Sequence, residues 1–432
     1  MGVIYRDSTL VISASDSQDC HGGLFFRRET PQEVAMSEPK EPITLYVRKE
    51  KISHRSDVAP THIDRTDSSP AQEVALRLHD RGWVFQERFL ATRTMHFTKA
   101  ELGWSCPSVE TCECMGLLLD FELSSPEISM RGLNTCTKAW AASFVGGKGW
   151  INLVEKYSRR ALTRETDLLP ALSGIAETLT ISGDKYAFGL WKSGIQRGDQ
   201  LCWFPAGGVT EFPPPVTYAP SWSWASIRSD TSFHDWGWST PYRWLFDFVD
   251  LSCEPTTSNP FGPGIGMLRL SGYLVPVRWY DSLSGILCSR NCLNYHITNT
   301  LAFDHASDPD PRGMFYGGPM KEPSGEVDVF GARLAQTLEN LLVQFQPDVE
   351  LSATSNEDTD IFFFMLVETT RGIPVADSVV IRNPHGIILK PVSSEGEPCY
   401  KRIGWGSGEF IDKYQPTEWW KTCGTRQIIT II

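Results

Sequence analysis

No stretch of the sequence approaches the roughly 18 uninterrupted apolar residues needed to span a bilayer. The longest dense run, Ile361 to Val367, is strand-sized. No basic segment followed by an apolar core opens the chain, so no signal peptide is expected. Met1-Gly2 would suit myristoylation only with Ser or Thr at position 6, where Arg6 stands. No Asn-x-Ser/Thr acceptor site occurs. Histidine is scarce, at 9 residues, and no two sit at helix-face metal spacing. The phosphate-binding Gly-x-x-x-x-Gly-Lys-Ser/Thr, the metalloprotease His-Glu-x-x-His and the hydrolase Gly-x-Ser-x-Gly are all missing. Positive charge is in deficit: 40 Lys and Arg face 52 Asp and Glu, a net charge of −12. That balance argues against nonspecific binding to nucleic acid or to an anionic membrane surface. Eleven cysteines, an odd number without framework spacing, suit a reducing compartment. The expected location is the cytoplasm, with no nucleic-acid partner and no membrane span.

What is present is ordinary globular material. The 432 residues are 41% hydrophobic and 21% charged, enough apolar side chain for a core spread over two or three domains or one large mixed one. The chain is tryptophan-rich, with 15 Trp beside 12 Tyr and 22 Phe, which excludes collagen-like, coiled-coil and largely disordered classes.

Along the chain, Ser8 to Ala14 is β-branched and apolar and reads as a buried strand. Residues 29–72 are rich in Pro, Ser and charge and read as loop, with one strand at Ile43 to Val47. Ser69-Pro70 resembles a helix start. A short helix is expected near Val84 to Leu90 and a strand near Thr94 to Phe97, and Trp83 and Glu87, four apart, would share a helix face. Residues 136–205 read as helical. Trp150, Ile151, Val154 and Tyr157 form one apolar stripe. Asp167 would cap a helix whose apolar face is Leu168, Leu172, Ile175, Ala176 and Leu179. Alternation in Ser221-Trp222-Ser223-Trp224 puts both indoles on one face, as in a strand. From about residue 265 short strands and turns dominate: Met267 to Leu274, Ile361 to Glu368, Ser378 to Ile381, Gly386 to Leu389 and Gln427 to Ile431. Gly262-x-Gly264-x-Gly266 precedes a strand, the reverse of a dinucleotide loop, and reads as a turn, as does Ser407 in its glycine-rich setting.

One stretch is denser than the rest: Arg81-Gly82-Trp83-x-x-Gln86-Glu87-Arg88-x-Leu90-x-x-Arg93-x-x-His96-Phe97. It resembles the closing signature of the fungal heterokaryon-incompatibility (HET) domain. Family-like segments follow in order: Tyr157-Ser158-x-Arg160-x-Leu162-Thr163, Asp167-x-Leu169-Pro170-Ala171-Leu172-Ser173-Gly174, Tyr186-x-x-Gly189-Leu190-Trp191, Ala219 to Ser226, and Tyr400-x-Arg402-Ile403-Gly404. Ile4-Tyr5, Leu10 to Ala14 and Gly23-Leu24-Phe25-x-Arg27 resemble the last third of the family core. The family's earlier Leu-Ser-Tyr/His-x-Trp-Gly and Ile-Asp-x-Leu-Cys-Ile-x-Gln segments do not occur, so the resemblance implies an N-terminally truncated core.

The resemblance implies an α+β fold. Residues 1–115 would be the C-terminal part of a TIR-like α/β HET core with a loop-rich insertion at 29–72. Residues 130–228 would be a helical middle region ending in the SWSW seam, and residues 265–432 a β-rich C-terminal region. It also implies non-self recognition and programmed cell death through contacts with other HET-family or incompatibility proteins, and self-association through uncovered strand edges. Two other readings stand beside it. One is a TIR-like, NAD-cleaving hydrolase in a full-length form, with NAD as substrate. The other is an inactive regulator that pairs with intact HET proteins.

No catalytic constellation is self-evident. Glu87 is the catalytic candidate, since a carboxylate can stabilise cationic character at a ribosyl carbon. Its simpler reading is structural, an ion-paired residue among Arg81, Arg88 and Arg93. Arg81, Gly82, Trp83, Gln86, Glu87, Arg88 and Arg93 are expected to hold the domain together and to shape an interaction surface. Cys106, Cys112 and Cys114, with His96 and Cys136 near in sequence, would supply soft zinc ligands, although their spacing departs from the usual pairs and free thiols are the simpler reading. Trp222 and Trp224 would form either a stacking platform or, more simply, a packed aromatic seam joined by Trp236, Trp238 and Trp244.

Overall fold

The computed structural model describes residues 2–27, 32–36, 43–47, 55–56, 59–60, 78–99, 102–106, 110–113, 138–206, 218–234, 241–280, 286–289, 342–347, 361–372, 380–392, 398–408, 410–411 and 424–432. The fold is α+β, with a small mixed sheet and helices in the N-terminal half and a large, mostly antiparallel sheet toward the C-terminus. The chain divides into two compact units. The first comprises Met1–Gly194, Arg228–Thr231 and Cys253–Ile265; the second comprises Ile195–Ile227, Ser232–Ser252 and Gly266–Ile432. Among the described residues no helix is long and apolar enough to cross a membrane.

The helices of the first unit are α1 (Gly2–Asp7), α2 (Gly82–Leu90), α3 (Lys138–Gly146), α4 (Lys148–Ser158) and α5 (Ser173–Leu179). In α2 the buried residues Gly82, Gln86 and Phe89 recur at i, i+4 and i+7, one inward stripe. Trp150, Ile151, Val154 and Tyr157 are the buried stripe of α4, as their spacing requires. The Trp150 indole donates to the Gly189 carbonyl at 2.9 Å and the Tyr157 hydroxyl to the Leu168 carbonyl at 2.6 Å, so the largest core side chains also satisfy loop carbonyls.

The small sheet runs Val11–Ser13, Thr94–Phe97, Leu102–Ser105, Glu110–Cys112. Its first pair is parallel, with Val11 opposite Thr94 and Ser13 opposite His96; the others are antiparallel. A parallel pair requires a crossover, and α2 lies in it. One face is closed by Ser13, Thr94, His96 and Ser105, all buried. The expected buried strand over Ser8 to Ala14 is shorter and more open: only Val11–Ser13 pair, Ile12 is 56% exposed, and α1 occupies the residues before it. Among the described residues it has one neighbouring strand, so apolar composition alone does not bury it. The strand at Ile43–Val47 is present, paired antiparallel with Gln32–Met36. The Ser69-Pro70 helix start lies outside the described residues.

In the second unit the pairing closes on itself. Strand Gly264–Tyr280 pairs with Ile361–Gly372, which pairs with Val380–Val392, then Cys399–Gly408, then Leu342–Pro347, then Ile286–Ser289, which returns to Gly264–Tyr280. All pairs in this circuit are antiparallel, and Leu268, Leu270, Val275, Val277, Phe363, Phe364, Ile387 and Leu389 are among the buried residues on its strands. Strand Thr425–Ile431 lies antiparallel to Leu268–Leu274 and parallel to Cys399–Tyr400.

Three local expectations change here. Val380-Ile381 and Gly386 to Leu389, expected as separate segments, belong to one strand, Val380–Val392, and Ser378 and Val379 lie outside the described residues. Gly386 sits so near its neighbour that a Cβ would lie 2.0 Å from the Phe364 carbonyl oxygen, which only glycine permits. Ser407 lies within a strand rather than a turn, opposite Gln344 and His385. Ser221-Trp222-Ser223-Trp224 is not a strand but a turn leading into a 3-10 helix at Trp224–Ser226, started by the Ser223 hydroxyl accepting from the Ala225 N–H at 3.0 Å. Serine at a cap overrides the alternation of its neighbours.

Candidate functional site

The motif residues of α2 are the centre of a contact set in the first unit. Arg81 forms a parallel bridge with Ala161, and the Gly82 N–H donates to the Ala161 carbonyl at 2.8 Å. A Cβ at Gly82 would meet Leu162 Cδ2 at 2.4 Å, so glycine lets the start of α2 touch the segment after α4. The Trp83 indole donates to the Asp167 carboxylate at 3.0 Å. Asp167 therefore serves Trp83 from a 3-10 turn, Glu165–Asp167, instead of capping a helix. The apolar residues expected beyond it, Leu168, Leu172, Ile175, Ala176 and Leu179, are all buried. Phe85 packs on Tyr157 with ring centroids 5.4 Å apart.

Gln86 is buried, and its side-chain carbonyl accepts the Gly174 N–H at 2.6 Å. Gly174 lies in the first turn of α5, where backbone N–H groups lack helical partners, so Gln86 satisfies one of them from another helix. Glu87 is half-buried and lies beside the Tyr5 hydroxyl of α1. Burial pushes its carboxyl above the ordinary range, while the neighbouring Tyr5 hydroxyl and the Arg81 guanidinium pull it back. The Tyr5 hydroxyl is pushed up to about 12, by burial first and then by the Glu87 charge. Arg81 and Arg93 are exposed, whereas Arg88 is half-buried.

The structure thus brings Trp83, Gln86 and Glu87 to partners that lie far away in sequence, and uses each polar atom to join elements. Trp222 and Trp224 lie in the second unit and are buried. The Trp222 carbonyl accepts from the Trp203 indole at 3.0 Å. Trp244 packs edge-on to Phe246 at 5.8 Å, and Trp236 and Trp238 lie outside the described residues.

Of the thiols, Cys106 is half-buried and free. Cys112 lies on the strand Glu110–Cys112, its side chain outside the described set, as are Cys114 and Cys136 entirely. Both ring nitrogens of His96 lie beside serine hydroxyls. Its Nδ1 is 3.2 Å from the Ser15 hydroxyl and its Nε2 is 2.9 Å from the Ser105 hydroxyl. Among the described residues no group of three or more His, Cys, Asp or Glu could hold a metal ion.

Two further polar clusters lie among residues distant in sequence. In the second unit His234 and His385 lie 5.6 Å apart between Phe204 and Trp405. Burial lowers His234 to about 4; burial and then the charge of His234 lower His385 to about 3. The His385 Nε2 and the Thr369 hydroxyl are 3.2 Å apart. Nearby in the same unit the buried Arg402 donates to the carbonyls of Leu201, at 2.9 Å, and Trp203, at 2.5 Å, and stacks over Trp203 at 3.4 Å. No periodicity links such distant residues, and of them only Arg402 stands in a sequence motif, as a letter of the Tyr-x-Arg-Ile-Gly segment.

Comparison of the chain with protein-family models, with curated proteins and with solved structures finds no match in any of the three.

Proposed function

We propose that the chain is a HET-type protein of fungal non-self recognition, acting in the cytoplasm through protein contacts and promoting programmed cell death. The observation that supports this reading most is the convergence of the family-like segments. Tyr5, Trp83, Gln86, Glu87, Ala161, Asp167 and Gly174 come from four such segments, and they meet around α2. Segments matched by chance have no reason to converge on one helix. The parallel pair Val11–Ser13 and Thr94–Phe97, with α2 in its crossover, fits a partial TIR-like core. In this reading α2 is the structural keystone, and the exposed Arg81 and Arg93 belong to the partner-facing surface.

Controlled expression in a filamentous fungus tests it. Wild-type chain should kill or arrest cells, and Gln86→Ala, which removes the bond to Gly174, should not. NAD that stays constant until late fits a death effector without chemistry. Early NAD loss that Glu87→Gln abolishes would instead favour the NAD-cleaving reading. A chain harmless alone that alters the toxicity of an intact HET protein would favour the regulator.

A further inference from the structure

The small sheet of the first unit buries polar side chains on a face where packing alone would ask for apolar ones. Ser13, Thr94, His96 and Ser105 are buried there, and Ser15, just past the strand Val11–Ser13, is wholly buried. Strand pairing brings them together. Ser13 stands opposite His96, and Ser105 stands opposite Thr94, which shares a face with His96. The His96 imidazole lies between two hydroxyls, its Nε2 2.9 Å from Ser105 Oγ and its Nδ1 3.2 Å from Ser15 Oγ. Ser15 Oγ is in turn 3.0 Å from Ser13 Oγ. The His79 ring packs edge-on to His96, with centroids 5.8 Å apart, and restrains the imidazole from turning.

A neutral imidazole carries one N–H and one lone pair, so one of its serines donates to it and the other accepts. Distance and exposure assign the roles. Ser105 is the nearer and is 5% exposed, whereas Ser15 is 0% exposed and has Ser13 to receive its own proton. The consistent chain runs from the Ser105 O–H to Nε2, from the Nδ1–H to Ser15, and from the Ser15 O–H to Ser13. A hydroxyl bonded to an imidazole that a third group orients is the arrangement of an activated nucleophile.

We propose that Ser105, His96 and Ser15 form an acyl-transfer site for small esters, with Ser105 as nucleophile, His96 as general base and Ser15 as positioning residue. Ser105 Oγ bonds to the ester carbonyl carbon while its proton passes to His96 Nε2. The tetrahedral intermediate then breaks its bond to the alcohol oxygen, and the alcohol leaves with that proton. Water attacks the acyl-serine carbonyl and gives a proton to Nε2. The bond to Ser105 Oγ breaks, the serine recovers the proton, and a carboxylic acid departs. The near-complete burial of Ser105 restricts the substrate to a small acyl group such as acetyl. The site uses no residue of α2, so it stands or falls separately from the function proposed above.

A small fluorophosphonate and p-nitrophenyl acetate, each applied to the full chain, test it. The fluorophosphonate should label Ser105, as located by peptide mass spectrometry, and p-nitrophenyl acetate should be turned over with release of p-nitrophenolate. Ser105→Ala, which removes one oxygen, should abolish both. His96→Gln should slow labelling by about a hundredfold or more, the usual contribution of a general base. Ser15→Ala should lower kcat for p-nitrophenyl acetate by less than His96→Gln does, with KM unchanged. Ser15→Thr, which keeps the hydroxyl, should restore it. Absence of label on wild-type Ser105 would overturn the site. So would turnover that survives Ser105→Ala, or labelling unchanged in His96→Gln. Equal loss in Ser15→Ala and Ser15→Thr would overturn the positioning role.

Discussion

Gln86 and Gly174 are joined by a 2.6 Å hydrogen bond from the backbone N–H of one helix to the side-chain carbonyl of another. The contact is close enough that a Cβ on Gly174 would stand 2.7 Å from Gln86 Oε1. Gln86→Ala should therefore leave a buried N–H unsatisfied and cost about 1–3 kcal/mol. Gly174→Ala should also destabilise, by clash. Urea unfolding of both single variants and the double variant would check this. Full additivity would mean the two positions do not interact.

At Gly82, two effects of opposite sign compete. Alanine in a helix is favoured over glycine by about 0.8–1 kcal/mol. Here its Cβ would meet Leu162 Cδ2 at 2.4 Å and Cγ at 2.9 Å, and overpacking costs about 1–3 kcal/mol. The clash should win, so Gly82→Ala is expected to lower the unfolding midpoint. Adding Leu162→Ala should recover part of that loss relative to Leu162→Ala alone.

The second unit should be acid-sensitive through its histidine pair. In the folded chain His234 and His385 stay neutral down to about pH 4 and about pH 3, against an ordinary value of 6.5 when unfolded. Below pH 6.5 the unfolded chain binds protons that the folded chain excludes, so stability falls with pH from about 6.5 toward 4. Carboxylates add their own acid loss, so the informative quantity is a difference. His234→Phe should show a smaller fall in urea midpoint between pH 7 and pH 4.5 than the wild type does.

Arg402 is held by shape as well as by charge. Its guanidinium serves the Leu201 and Trp203 carbonyls and lies flat on the Trp203 ring. A lysine ammonium cannot reproduce the planar fork or the stacking. Arg402→Lys should cost about 1–3 kcal/mol in urea unfolding despite keeping the charge. It should also shift the tryptophan emission of the folded state.

Several elements were legible from local pattern. The α2 helix and the strand at Thr94–Phe97 are where their residues suggested, and the stripe of α4 and the apolar face around Leu168 to Leu179 are buried. Patterns failed where a short-range hydrogen bond or a missing neighbour outweighed them. The Ser223 cap turned an apparent strand into a 3-10 helix, and the edge position of Val11–Ser13 left Ile12 open to solvent. For the site, the sequence marked Trp83, Gln86 and Glu87 but offered no means of finding their partners.

The sequence by itself determined the composition class, the helix and strand periods and the residues that go inward, because these follow from side-chain spacing along a single element. The tertiary structure alone decided that Trp83 meets Asp167, Gln86 meets Gly174, Glu87 meets Tyr5, and His234 meets His385. It also decided that the strands of the second unit close into a circuit. Such pairings depend on which elements pack together, and the energy of a buried hydrogen bond or of two touching imidazoles exists only once distant segments have excluded the water between them.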